Sequence, residues 1–210
     1  LRALLGALAG DDLRASAGIN HRWTRPGRVF RWVGVWGNTG AGWNFGRVRN
    51  SAYAGLGGYW QFLNYWSLNA NLNYNFRSLS DGLTRGGPLA VSPASWNVFL
   101  GVGTDSRKPW NVWVSGNYTR NELDGWGSGL WGWLDARLTS TVSISAGPEF
   151  FASRSIQQYV SSAKDTTATA TFGRSYVFAE ILQRTLNITT RLNVTLTPTL
   201  ALRDGAPFLA

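Results

Sequence analysis

From Trp66 to Arg77 the chain alternates without a break between two sets of residues. Trp66, Leu68, Ala70, Leu72, Tyr74 and Phe76 are apolar; Ser67, Asn69, Asn71, Asn73, Asn75 and Arg77 are polar. Only a β-strand sorts residues with a period of two, because successive side chains leave opposite faces. The apolar row is uncharged and carries aromatics at its ends, as a strand crossing an outer membrane does. About ten residues at ~3.3 Å each, tilted by ~40°, span the ~25 Å apolar band of such a membrane.

The same grammar recurs along most of the chain, interrupted by Gly, Pro, Asn, Asp and Ser at fairly even spacing, which predicts successive hairpins. Leu13, Ala15, Ala17 and Ile19 form one apolar row, and Arg25-Pro26-Gly27 turns the chain into a strand over 29–37. Gly37, Gly40 and Gly42 then read as a glycine-rich loop through Gly46. Ala52, Ala54, Leu56, Gly58, Trp60 and Phe62 form the next row, followed by a short link over 63–65 into the opening strand. A long loop is expected over 78–94. Beyond it Trp96, Val98, Leu100 and Val102 share a face, 106–109 turn the chain, and Trp110, Val112, Val114, Gly116 and Tyr118 follow. In the second half Leu130, Gly132, Leu134, Ala136 and Leu138 precede a turn at Thr139-Ser140 and a row of Val142, Ile144, Ala146, Pro148 and Phe150. Pro148 has no N–H to give a ladder and signals a bulge or an edge. A polar loop over about 153–171, a strand over 176–182, a tight link at Gln183-Arg184, a strand over 186–196 and a turn at Thr197-Pro198-Thr199 complete the expectation. Short turns alternate with longer loops except near the C-terminus, where two short links come in succession.

Composition strengthens the membrane reading. The 210 residues include 12 Trp, 10 Phe, 7 Tyr and 25 Gly, with no Cys and no Met. Aromatics together with glycine suit a barrel with interfacial girdles. No apolar run approaches the ~18 to 20 residues of a spanning helix, the longest being 3–10. The start on Leu1, with no Met and no leader pattern, reads as an internal fragment. The lack of Cys excludes disulfides and thiolate metal sites while leaving the compartment open. A net charge of +9 invites a nucleic-acid reading, but the arginines are scattered singly and Lys108 and Lys164 are the only lysines. That distribution is not a binding footprint, so no nucleic-acid partner is expected.

Catalytic chemistry finds little support. His21 is the only histidine, too few for a His-based metal site, and no nucleophile motif accompanies it. It reads as an interfacial or loop residue. Gly37, Gly40 and Gly42 do not precede a helical pattern, so they form no phosphate cradle. Asp135 and Glu149 lie on adjacent strands, and paired carboxylates can hydrolyse glycosides. The structural reading is preferred, with Arg137, two positions along the same face, beside Asp135. Trp113, Trp131 and Trp133 also point to the polar side, where they could stack on sugars, although packing is the simpler role.

The block Thr167-Ala-Thr-Ala-Thr-Phe-Gly-Arg-Ser-Tyr-Val-Phe-Ala-Glu180, continuing over 183–200, resembles the C-terminal barrel region of a bacterial envelope family of unknown function. In that family a carbohydrate-binding family 9-like domain precedes a large outer-membrane β-barrel. The close likeness covers about the last forty residues; upstream it is one of style, including the Trp96–Leu100 row and Ser106-Arg-Lys-Pro-Trp110. Members continue after Thr-Pro-Thr-Leu with another aromatic strand, whereas this chain runs Ala201-Leu-Arg-Asp-Gly-Ala-Pro-Phe208. The resemblance implies no catalytic residues.

The expectation is therefore an all-β antiparallel up-and-down meander of about 10–11 strands, a single region over 1–210 forming part of a transmembrane β-barrel in a bacterial outer membrane. Its partners are the lipid bilayer and, by resemblance, an upstream carbohydrate-binding domain of the same protein; no cofactor and no enzymatic activity are expected. The expected lumen-facing residues are Asn69, Asn71, Asn73, Arg77, Asn111, Trp113, Asn117, Trp131, Trp133, Asp135, Arg137, Glu149 and Arg191. The expected lipid-interface aromatics are Trp60, Trp66, Tyr74, Phe76, Trp96, Trp110, Tyr118 and Phe150. The role is porin-like passage or membrane anchoring of a larger envelope protein. The alternatives are an anchor for an upstream hydrolase or adhesin, and a soluble sugar-binding β-sandwich.

Overall fold

A computed structural model describes residues 2–7, 13–80, 82–197 and 200–209, with side chains over 13–80 and 82–195. The chain is all-β. Its strands are β1 (Arg2–Ala7), β2 (Leu13–Trp23), β3 (Phe30–Trp43), β4 (Arg49–Phe62), β5 (Ser67–Asn75), β6 (Ser78–Ser80), β7 (Ala90–Ser92), β8 (Ser95–Gly103), β9 (Trp110–Asn121), β10 (Trp126–Arg137), β11 (Val142–Lys164), β12 (Arg174–Thr197) and β13 (Leu200–Leu209). Eleven of them form one antiparallel sheet in the order β1-β2-β3-β4-β5-β8-β9-β10-β11-β12-β13. The short strands β6 and β7 make a separate hairpin within the β5–β8 connection. The sheet is an up-and-down meander with β1 and β13 at its two ends, and no pair joins those ends among the described residues.

Several local expectations change. The segment 38–43 is not loop, because β3 runs to Trp43 and the turn is confined to 44–48. Glycine is a turn signal only where nothing covers it. Here the Tyr53 ring of the neighbouring strand lies where a Cβ on Gly40 would stand, and Ser51 and Asn50 crowd Gly42 in the same way. The segment 78–94 is not plain loop either: it holds the β6–β7 hairpin and a 3-10 turn at Gly82–Thr84.

The largest correction concerns 153–184. The expected polar loop, the separate strand over 176–182 and the link at Gln183-Arg184 are one long hairpin, in which β11 has 23 residues and β12 has 24. Its turn lies at 165–173, where Phe172 and Gly173 take φ of 56° and 73°. The β10 ladder reaches only Arg154 of β11, so residues 155–164 pair with β12 alone. Ten residues at ~3.3 Å carry the hairpin about 33 Å past its neighbour. Free of a third strand, this part has no core face and shows no clean apolar alternation. Pro148, in turn, lies neither at an edge nor at a bulge. The ladder to β10 passes from Trp131↔Glu149 to Leu134↔Ala146 in unchanged register, and Pro148 pairs with Ile188 on the other side.

With that hairpin merged, the connections sort cleanly. One end of the sheet carries the turns 24–29, 63–66, 104–109 and 138–141; the other carries 44–48, the insert 76–94, 122–125 and the tip of the long hairpin. The turn expected at Thr197-Pro198-Thr199 falls between β12 and β13, with Pro198 and Thr199 outside the described residues.

Candidate functional site

Antiparallel register carries one parity of every strand onto one face. On that face Asn69 stands beside Gly101, followed across the ladder by Ser115, Trp131, Glu149 and Asn187. A second row runs Asn71, Phe99, Asn117, Gly129 and Phe151; a third runs Ser67, Gly103, Trp113 and Trp133, whose ring lies over Gly147. Asn73 meets Asn97, Asn111 meets Asp135, Ser145 and Arg191, and Arg137 meets Ser143. Of the thirteen expected polar-face residues, Arg77 alone lies outside a strand, in the connection after β5.

The opposite parity collects the aliphatic residues. Trp60 pairs with Leu68, Tyr74 with Trp96, Tyr118 with Val98, Trp110 with Ala136, and Phe150 with both Leu130 and Leu186. Trp66 and Phe76 continue the row at the two ends of β5. The burial of the two faces is inverted relative to a water-soluble sheet. Leu56, Leu100, Leu130 and Leu186 are 62%, 53%, 57% and 42% exposed, whereas Ser115, Ser145 and Ser67 are 2%, 6% and 7% exposed. Ala94 is the one buried apolar side chain among the described residues.

The polar face is packed by its own rings and amides. Five aromatic side chains lie over glycines of the same or the neighbouring strand: Trp113 over Gly101 and Gly103, Trp133 over Gly147, Phe151 over Gly129, Trp36 over Gly57 and Tyr53 over Gly40. Trp131 sits between Phe99 and Phe151 at ring-centroid distances of 5.9 and 6.0 Å. The indole N–H of Trp113 donates to Ser115 Oγ at 3.0 Å, Asn71 Nδ2 to Asn69 Oδ1 at 2.7 Å, and Asn97 Nδ2 to Thr119 Oγ1 at 2.7 Å. The Oδ1 atoms of Asn187 and Asn193 are buried without a donor among the described residues.

The two carboxylates of the glycosidase hypothesis do not meet. Asp135 stands opposite Ser145, whose hydroxyl donates to Asp135 Oδ1 at 2.6 Å, while Glu149 lies four residues along that strand. That is about 13 Å of strand, beyond the ~5 to 9.5 Å such pairs use. The expected Asp135–Arg137 contact is also replaced: Arg137 donates to the Lys108 carbonyl at 3.0 Å, bracing the 104–109 turn. Among the described residues no group of three or more His, Cys, Asp and Glu side chains could hold a metal. His21 lies within β2, its ring edge-on to Trp23 at 4.3 Å.

Both ends of the sheet carry charged clusters that the sequence did not single out. At the short-turn end Tyr65 is flanked by two guanidinium groups, Arg107 at 3.0 Å and Arg31 at 3.9 Å from the ring centroid. Arg107 forks onto Asp105 at 2.8 and 2.7 Å, and those hydrogen bonds hold the Asp105 carboxyl at about 2. At the other end Arg77 forks onto Glu122 at 2.7 Å through both nitrogens, and Glu122 also accepts the Ala94 N–H at 3.0 Å. These bonds keep Glu122 below the usual carboxylate range. The same end is roofed by the 76–94 insert. Gln157 Nε2 donates to Val91 O at 3.4 Å, Arg85 stacks on Tyr159, and Tyr176 covers Gly87. Leu83, Ser92 and Pro93 of the insert face Thr119, Asn121 and Ser153 across a cleft of about 410 Å³.

Phe99 and Phe151 escaped sequence reading because each follows an apolar residue, as Val98-Phe99-Leu100 and Phe150-Phe151, and the doublet hides which ring turns to the polar side. No family model, curated protein or solved structure matches the chain.

Proposed function

We propose that this region is part of the wall of a bacterial outer-membrane β-barrel, with its leucine face against lipid and its Asn/Ser face toward an aqueous lumen. One observation carries the reading: the aliphatic face is exposed and the serine face is buried. In water a continuous apolar face of this extent is a liability, whereas in a bilayer it is the solvated surface. A meander also pairs interior strands on both sides wherever their neighbours run alongside, as hydrocarbon requires, and the part of β11 beyond Arg154, paired with β12 alone, projects past that region. The aromatic residues Trp66 and Trp110 at one end, and Tyr74, Phe76, Trp96 and Tyr118 at the other, suit the two interfaces; Phe150, also expected there, pairs with Leu130 and lies nearer the middle of the aliphatic face. The resemblance of residues 167–200 to an envelope barrel family points the same way.

The function that follows is passage of solutes through the lumen, or anchoring of a larger envelope protein. The insert roofing one end, and the hairpin projecting beyond it, favour a barrel whose long-loop end is elaborated for the exterior, as extracellular loops are. A soluble sugar-binding sandwich needs a second sheet over the leucine face, and among the described residues none covers it. The test is fractionation of cells expressing the full-length protein, followed by gel mobility of the detergent extract with and without heating. Outer-membrane recovery with a heat-dependent mobility shift is the expected result; recovery as a soluble, heat-insensitive species overturns the proposal. Conductance in planar bilayers then separates passage from anchoring.

A further inference from the structure

We infer that the polar face carries a carbohydrate-binding platform centred on Trp131 and Glu149. This deepens the lumen reading above and rests on it for access to the site. Trp131 is half-buried and lies in line with Phe99 and Phe151, the three rings following one another at 5.9 and 6.0 Å with interplanar angles of 40° and 25°. Cδ1 and Cε1 of Phe151 lie over Gly129 and Cζ of Phe99 over Gly101, so the two outer rings fill space that a side chain at those positions would need. The three rings in a row make an apolar strip among the amides and hydroxyls of the neighbouring positions Asn71, Asn117 and Ser115.

The cross-strand neighbours of Trp131 are Ser115 and Glu149. Ser115 Oγ already receives the Trp113 indole N–H. Glu149 is half-buried and has no hydrogen bond or ion pair among the described residues, unlike Asp105, Glu122, Asp124, Asp135, Asp165 and Glu180, each of which has one. A half-buried acceptor with no donor, next to an aromatic face, calls for a ligand that brings hydroxyl donors on a ring with an apolar side. A pyranose has both: axial C–H groups for the ring and vicinal hydroxyls for the carboxylate. An organic cation would also suit a ring and a carboxylate. The net charge of +9 opposes its approach, and the three rings form a row, not a box around a point.

The ligand class is therefore a neutral oligosaccharide, lying across the strands along Phe99, Trp131 and Phe151. Calorimetric titration of the full-length protein in detergent with maltohexaose and with chitohexaose tests this independently of any conductance. Saturable binding of at least one sugar is expected, about tenfold weaker in Trp131→Ala and severalfold weaker in Glu149→Gln, with Trp131→Phe retaining more affinity than Trp131→Ala. Unchanged heat-modifiability of each variant shows that it still folds. Absence of binding to either sugar, binding indifferent to both Trp131→Ala and Glu149→Gln, or saturation by tetramethylammonium in their place overturns the inference. Sugar binding by a protein that fails to partition into the outer membrane would keep the platform and remove the barrel reading; a conducting barrel that binds no sugar would do the reverse.

Discussion

Replacing Leu130 with arginine separates a membrane wall from a water-soluble sheet more sharply than any change on the polar face. Leu130 lies near the middle of β10, between Gly116 and Phe150 on the aliphatic face, and is 57% exposed. If that exposure were to water, the substitution would fall within the ~0.5 kcal/mol typical of surface changes. Against the hydrocarbon midplane the same arginine costs about 2 to 4 kcal/mol. At about 1.4 kcal/mol per tenfold, the folding constant then drops by roughly 30- to 700-fold. The assay is reversible denaturant titration of the protein in lipid vesicles, with Asn73→Arg on the opposite face as the reference. Asn73 neighbours Asn97 on the polar side, and its replacement keeps the charge in water. The reasoning is refuted if Leu130→Arg costs no more than Asn73→Arg.

Three further outcomes follow from the packing. Asp105 has a depressed pKa, so its pairing with Arg107 contributes fully above about pH 4 and is lost as pH falls through about 2; carboxyl NMR should place its midpoint there, and Arg107→Ala should return it toward the ordinary range. A midpoint near 4 in the unmodified protein would contradict the 104–109 turn geometry. Gly103→Val sets a Cβ 2.5 Å from the Trp113 ring and 2.8 Å from Ser67 Oγ, and overpacking of this kind costs about 1 to 3 kcal/mol. Much of that loss should return in the Gly103→Val/Trp113→Ala double variant, and a strictly additive cycle in denaturant titrations would deny the contact. Glu122→Gln removes the charge that fixes Arg77 and weakens the bond to the Ala94 N–H, so trypsin should cut the insert at Arg85 faster while the rest of the chain stays resistant; an unchanged rate at Arg85 would show that the latch does not hold the insert.

The strand 67–75 was legible because its two faces differ in every residue, and the register then follows from neighbours built the same way. Legibility failed where that contrast was missing. The end of β3 was hidden by Gly40 and Gly42, whose role depends on Tyr53, Ser51 and Asn50 in the next strand. The far half of the β11–β12 hairpin was hidden because it has no third strand to define an inside, and is held by cross-strand pairs such as Arg154–Glu180 and Tyr159–Phe178. Sidedness placed Trp131 and Glu149 on one face, but not that Trp131 would lie between Phe99 and Phe151, since that depends on the register of four separate strands. The Tyr65 cluster joins turns about forty residues apart, and no local pattern announces it.

The unequal ends of the sheet also bear on how such a protein enters a bilayer. Both ends carry charge, Arg25, Arg28, Arg107 and Lys108 in the short turns and Arg154, Lys164, Arg174 and Glu180 on the hairpin, but on the barrel reading only the hairpin end would also have to take the roofing insert and a projecting two-stranded ladder through hydrocarbon. On that reading, spontaneous insertion into a vesicle would thread the short-turn end across and leave the hairpin on the side of addition. A cell that displayed the hairpin outward would then have to move the bulkier end through the membrane, which is the case in which assisted insertion would matter most.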